Sequence, residues 1–310
     1  MAAGRRLLAV GFSLAAIATS GVAYRDVRAE TERAPAPASS ARPVPSATPS
    51  TAPSATPAPS PTPISAPDTR TLEASLGSII AGSGAEVSLS FVDPATSAQV
   101  SIDGGAPWVA ASTYKLPLLM DETDLIANGT ASSNDVLCFT DADYEDGYFD
   151  DYADGDCFTR DVLMQRVGKE SDNTAAHILV RYLGGAGPLN AFAAANGATS
   201  SGFYDPNQTT AADLSALLLH ERTAPAAAQA ELRALLTHTL YESGVPAGVP
   251  ATATVIHKVG MLDAVTNDAA LVLGPRPYVL AVLVDGLDRD AGWSLIARLS
   301  AAVWQWEAST

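Results

Sequence analysis

Ser112-Thr113-Tyr114-Lys115 is a place in the chain where residue types and spacing could do chemistry. These residues stand at the head of the helical pattern KLPLLMDETDLIA, Lys115 to Ala127. Pro117 falls in its first turn, where a missing N–H is tolerated. The Ser112 hydroxyl is thereby expected at a helix N-terminus, with Lys115 one turn on and pointing back at it. A serine needs a base to become a nucleophile, and a partly buried lysine can have its pKa lowered enough to serve. Taken alone the spacing decides nothing, because an N-cap Ser beside a solvated Lys reads the same way. Two further groups follow in chain order. Ser171-Asp172-Asn173 opens the helical pattern SDNTAAHILVRYL, and Lys258-Val259-Gly260 ends the strand-like ATVIHKVG.

With all three groups present, the sequence resembles the class A β-lactamase and penicillin-binding serine hydrolase family, through Ser112-x-x-Lys115, Ser171-Asp172-Asn173 and His257-Lys258-Val259-Gly260. The resemblance runs from Leu72 to Trp306 and includes SDNTAA followed by Leu183-Gly184-Gly185. It implies a helix-covered antiparallel sheet built from both chain ends, with an all-helical layer inserted between them and the active site where the layers meet. It also implies roles. Ser112 is the acylated nucleophile, Lys115 its base, and Ser171 a proton relay to the leaving nitrogen. Asn173 holds the substrate amide, Gly260 belongs to the substrate-binding strand, and Lys258 supplies positive potential. The backbone N–H groups of Ser112 and Met261 form the oxyanion hole. Asp172 is read as a structural cap.

Two departures bear on activity. Family members that hydrolyse β-lactams rapidly carry Glu-x-x-Leu-Asn on a loop between the second and third groups, and its Glu activates the deacylating water. Here Gly197 to Thr210 reads GATSSGFYDPNQTT, with Asp205 as its only carboxylate. An acyl-enzyme is therefore expected to form and persist. Val259 stands where the family usually has Thr or Ser, which predicts a weaker grip on a substrate carboxylate, since a hydrogen bond to a charged group contributes about 1.5–3 kcal/mol.

The elements that must position these groups are legible from periodicity. Glu86–Val92 and Ala98–Ile102 alternate as strands around the turn Asp93-Pro94-Ala95-Thr96. Helical patterns cover Asn173–Leu183, Gly187–Asn196, Thr210–Glu221, Ala227–Leu240 and Ala291–Trp306. Thr252–Lys258, Asp268–Leu273 and Tyr278–Val284 read as strands, separated by Gly260 to Asn267 and by Gly274-Pro275-Arg276-Pro277. Strands at both ends with helices between them imply a sheet assembled from distant segments.

Composition narrows the chemistry. With 18 Lys+Arg against 34 Asp+Glu and a net charge of −16, the chain is not built to bind nucleic acid, whose affinity comes mostly from cations. Two cysteines without a CxxC pair and four histidines leave no material for a zinc finger, an iron–sulfur cluster or a redox dithiol. Metal-free side-chain chemistry without a cofactor is expected.

Arg5-Arg6 followed by the uncharged run from Leu7 to Ala23 reads as a signal peptide or N-terminal membrane anchor over residues 1–30. Residues 31–68 are rich in Pro, Ala, Ser and Thr, and supply too little apolar area to offset chain entropy. They read as a disordered spacer, so residues 69–310 form the hydrolase domain of an exported protein, secreted or tethered through residues 7–23 to the outer face of the cytoplasmic membrane. The expected partner is a small-molecule β-lactam or peptidoglycan-type substrate, and the expected state is a monomer.

Cys138 and Cys157 bracket a loop holding Asp141, Asp143, Glu145, Asp146, Asp150, Asp151, Asp154 and Asp156 without a cation. In an exported protein the two cysteines are expected to pair. The carboxylates read as a solvated, charged flap. A calcium loop is disfavoured, because Asp146 stands where an EF-hand needs Gly and Tyr152 where it needs a bidentate Glu. Three readings of function remain: a serine hydrolase acting on β-lactams or cell-wall amides, a D-alanyl-D-alanine peptidase or slow penicillin-binding protein, and a binding module that keeps the fold without turnover.

Overall fold

Short strands that are buried throughout need a cover on both faces, and the chain supplies helices for each. A computed structural model describes residues 66–310; the expected export segment and nearly all of the expected linker lie outside the described residues. In chain order, the N-terminal part gives α1 (Arg70–Ala81), β1 (Glu86–Asp93), β2 (Ala98–Ile102) and β3 (Trp108–Val109). The middle gives α2 (Lys115–Ala127), β4 (Val136–Cys138), β5 (Cys157–Thr159), α3 (Arg160–Gln165), α4 (Asn173–Leu183) and α5 (Ala186–Ala195). It continues through β6 (Gln208–Thr209), α6 (Ala211–Glu221) and α7 (Ala226–Leu236). The C-terminal part is β7 (Thr254–Leu262), β8 (Val265–Leu273), β9 (Tyr278–Asp285) and α8 (Arg289–Ser309).

The main sheet has the order β2-β1-β9-β8-β7, antiparallel throughout, so the first hairpin joins the last three strands through the β1–β9 pair. In β9, Val279, Ala281 and Leu283 point into the core shared with the middle helices, while Tyr278, Leu280, Val282 and Val284 pack with α1 and α8. That alternation is the two-residue period of a strand covered on both faces. The expected helix-covered sheet from both chain ends, with a helical layer between, is what the chain forms.

Several boundaries differ from the sequence reading, each for a tertiary reason. The β7 and β8 strands run on through Gly260 to Asn267, a stretch read as a separator, because the ladder continues to Leu262↔Val265 and turns in two residues, with Asp263 at φ 48°. Helix α7 stops at Leu236 rather than Leu240; His238 follows with φ 52°, which a helix cannot accommodate. The α1 helix is not marked by a strong periodic stripe, and only Leu72 and Leu76 are buried along it.

The short β4–β5 pair brings Cys138 opposite Cys157, and the two form a disulfide across 19 positions of sequence. A cross-link closing a loop of that length constrains the unfolded chain by about 3 kcal/mol. Replacing both cysteines by Ser is therefore expected to lower the unfolding free energy by about that amount. Free-thiol titration of the unreduced, denatured protein should find no thiol; two reactive thiols would show the pair unformed.

Candidate active site

The Ser112 turn is fixed before its chemistry begins. Ala111–Tyr114 form a single 3₁₀ turn running straight into α2, and Ala111 is held at φ 47°, in the left-handed region a non-glycine residue rarely adopts. Hydrogen bonds hold this conformation from several sides. The Ala110 N–H donates to Asn207 O at 3.0 Å, and the Thr113 hydroxyl and Asn267 Nδ2 donate to Ala110 O and Val109 O at 2.7 and 2.9 Å. Gly260 on β7 lies against this turn: a Cβ there would come within 2.7 Å of Ala110 O and 3.1 Å of Thr113 N, so only glycine lets strand and turn approach this closely.

Lys115 occupies the first position of α2 and is fully buried. Its Nζ lies 3.1 Å from Ser112 Oγ, 2.6 Å from Ser171 O and 2.6 Å from Asn173 Oδ1. The amide orientation of Asn173 is set independently, because its Nδ2 donates to Asp146 O at 2.8 Å. Burial pushes the Lys115 ammonium down to about 7, against the opposing pull of Asp172 and Glu145. A neutral amine has two N–H bonds and one lone pair. Ser171 O and Asn173 Oδ1 can only accept, so they take the two N–H groups and leave the lone pair for the Ser112 hydroxyl.

Ser171 sits between a π-helical turn (Arg166–Glu170) and α4, with φ 61°. That left-handed kink turns its carbonyl to Lys115 while its hydroxyl meets Lys258, whose Nζ donates at 2.9 Å. Lys258 also donates to Val259 O at 3.1 Å, and burial together with the Lys115 charge depresses its pKa strongly. Neither lysine has a carboxylate within ion-pair distance among the described residues, a costly arrangement for two buried amines unless the environment favours their neutral forms. Ser112, Lys115, Ser171, Asn173 and Lys258, spread over the chain, are thus joined in one hydrogen-bonded set. Met261 lines the same cleft, of about 300 Å³, as Ser112 and Asn173.

The structure places one residue and one segment differently from the sequence reading. Val259 does not face the substrate cleft: along β7 it shares the outer face with Val255 and is buried in the core under α8, so a missing hydroxyl there has no direct bearing on substrate grip. The segment between Cys138 and Cys157 is not a free flap. Asp172, the N-cap of α4, accepts from Ala175 N at 2.8 Å and also from Phe149 N and the Tyr152 hydroxyl at 3.0 and 2.6 Å. Asp143 pairs with Arg181 at 2.7 Å, and Arg166 pairs with Asp151 while its guanidinium lies 4.3 Å from the Phe149 ring. The cap that opens the helix therefore also pins the acidic segment along the cleft wall.

Sequence reasoning missed Glu145, His177, Tyr204 and Asn207, which line the cleft beside Ser112. His177 was findable, since it follows Asn173 by four residues and so shares its helix face. His257 points away from the cleft and is held between Asp268 at 3.0 Å and Glu242 at 3.3 Å, whose carboxylates outweigh burial and raise its pKa to about 9. It anchors the strand that carries Lys258.

Solved structures share this architecture. A PBP-A structure aligns with TM-score 0.74 at 22% identity over 80% of this chain and 100% of its own. A β-lactamase from Sphaerobacter thermophilus aligns with TM-score 0.70 at 24% identity, over 78% and 99%. An ancestral class A β-lactamase aligns with TM-score 0.68 at 26% identity, over 76% and 99%. No curated protein matches the chain. The model of the "Beta-lactamase enzyme family" matches residues 71–306, which span the sheet, the helical layer and all three motif groups. The chain therefore belongs to the beta-lactamase enzyme family.

Proposed function

We propose that this is an exported active-site serine hydrolase, acylated at Ser112 by β-lactams or related cell-wall amides and slow to release the acyl group. The observation that carries the reading is the contact of Lys115 Nζ with Ser112 Oγ at 3.1 Å, with the two nearest partners of that amine, Ser171 O and Asn173 Oδ1, being acceptors only. Lys115 takes the Ser112 proton as Oγ attacks the amide carbonyl. The Ser112 and Met261 N–H groups receive the developing oxyanion. The leaving nitrogen is protonated through the Ser171 hydroxyl, which lies between Lys115 and Lys258 at 3.4 and 2.9 Å. Gly260 admits the substrate edge, and Asn173 meets its amide.

Slow release follows from the short loop before α6. Asp205 is exposed and does not line the cleft, so the loop brings no carboxylate to an acyl-Ser112. The peptidase or slow penicillin-binding reading shares this acylation chemistry and differs in substrate. A solved PBP-A point mutant, captured as its acyl-enzyme with penicillin G, aligns over 77% of the chain with TM-score 0.72. Intact-mass measurement after incubation with a panel of β-lactams tests the reading. One adduct per chain is expected, with a burst of one product per enzyme followed by a slow steady phase. No adduct on protein that is folded by circular dichroism would favour the binding-module reading, and rapid linear hydrolysis without a burst would overturn slow release.

A further inference from the structure

Glu145 is the one carboxylate among the residues lining the Ser112 cleft. Its backbone is fixed by Thr174 at both ends: the Glu145 N–H donates to Thr174 Oγ1 at 3.1 Å, and the Thr174 hydroxyl donates to Glu145 O at 2.8 Å. Its side chain is fixed by His177, whose Nε2 lies 2.9 Å from Oε2. His177 is held in turn, with Nδ1 3.1 Å from Asp143 O and its ring edge-on to Tyr204 at 5.2 Å. Asn173, one helical turn before His177, touches Lys115 at 2.6 Å, so the helix face that carries His177 also reaches the catalytic amine. Glu145 Oε1 has no partner among the described residues.

A carboxylate oxygen without a protein partner on the wall of the Ser112 cleft can accept a hydrogen bond from a water there. A water that donates one hydrogen to it keeps a lone pair directed elsewhere, which is what attack on an ester requires. We propose that Glu145 is the general base that hydrolyses the Ser112 acyl-enzyme, with His177 as its positioning residue. The inference rests on the acylation reading above. In the step, Glu145 Oε1 takes a proton from the water as its oxygen bonds to the acyl carbon. The tetrahedral intermediate then collapses, the C–Oγ bond breaks, and the proton that Glu145 took from the water passes through solvent to Oγ, so the net change is addition of one water and Lys115 stays neutral throughout. Its side chain is 53% exposed, so bulk water competes for its free oxygen, and release stays slow enough for the adduct to accumulate.

The test follows adduct lifetime by intact mass, after excess β-lactam is removed, in the full-length protein. E145Q is expected to lengthen the lifetime about tenfold or more while acylation stays within about threefold. H177N should lengthen it by less, and D150N, on the exposed part of the same loop, should leave it unchanged. Between pH 5 and 9 the wild-type release rate should vary less steeply than hydroxide concentration, whereas E145Q should follow hydroxide across the range. An adduct that forms normally but has the same lifetime and pH profile in E145Q overturns the role of Glu145 and leaves the acylation reading standing. Absence of any adduct in the wild type overturns both. If E145Q does not fold, the wild-type profile decides, and release in proportion to hydroxide throughout overturns the proposal.

Discussion

Ser112→Ala is expected to abolish the β-lactam adduct completely while leaving the circular dichroism spectrum and unfolding midpoint close to those of the wild type. The effect on chemistry is total, because Oγ is the atom that forms the ester, and no neighbouring hydroxyl is placed to replace it. Thr113 is fully buried with its hydroxyl committed to Ala110 O at 2.7 Å, and Ser171 Oγ is held by Lys258 at 2.9 Å. The effect on stability is small for a different reason. The turn is fixed by backbone groups of Val109, Ala110 and Thr113, not by the Ser112 side chain, whose recorded contact is with Lys115. Intact mass with and without a β-lactam, beside a thermal melt, checks both halves. An adduct surviving in Ser112→Ala would move the nucleophile elsewhere and undo the proposed chemistry.

Acylation should also depend steeply on pH through Lys115. A general base must be unprotonated to work, and burial pushes this ammonium down to about 7. The acylation rate is therefore expected to climb with pH through about 7 and level off above it, falling roughly tenfold per unit on the acid side. Lys115→Met keeps the apolar stem and removes the amine. Loss of general-base help costs about 10²–10⁴ in rate, so the variant should be acylated that much more slowly, with the inflection near 7 gone. The variant should melt somewhat lower, because Ser171 O and Asn173 Oδ1 lose the N–H groups that satisfy them, so circular dichroism at the assay temperature shows that it is folded. Rapid-quench acylation rates from pH 5 to 9 decide the matter. An inflection that persists in Lys115→Met would assign it to another group.

The same two amines show how far local sequence reaches. Ser112-x-x-Lys115 lies within one helical turn, and a turn's geometry follows from backbone sterics alone, so the reach of Lys115 to Ser112 is legible from four residues, whereas the burial that separates a base from a solvated Lys is not. The Lys115–Ala127 helix, the first hairpin and the Asp172 cap are local in the same sense, and the structure has each of them at the expected place. Three ordered motif groups likewise determine the family and its layered sheet, because each needs its own strand or helix beneath it.

What the tertiary structure decided is wherever long-range packing chooses among locally equal options. Val259 reads as a cleft residue from the motif, yet alternation along β7 turns it into the core under α8. The β7–β8 hairpin runs through residues that read as a linker, since ladder bonds outweigh the weak turn signal of Gly260 and Asp263. Above all, the carboxylate at the cleft comes not from the loop beside α6, where Asp205 is exposed, but from Glu145 in the acidic segment. Nothing near Glu145 in sequence marks it out from its seven acidic neighbours in that segment. Its place is set by Thr174 and His177, residues 29 and 32 positions away, which reach it only once α4 is capped by Asp172 and the segment is drawn across the cap. A side chain's role in a cleft is a property of who its neighbours become, and here those neighbours are chosen by the packing of the loop against the helix.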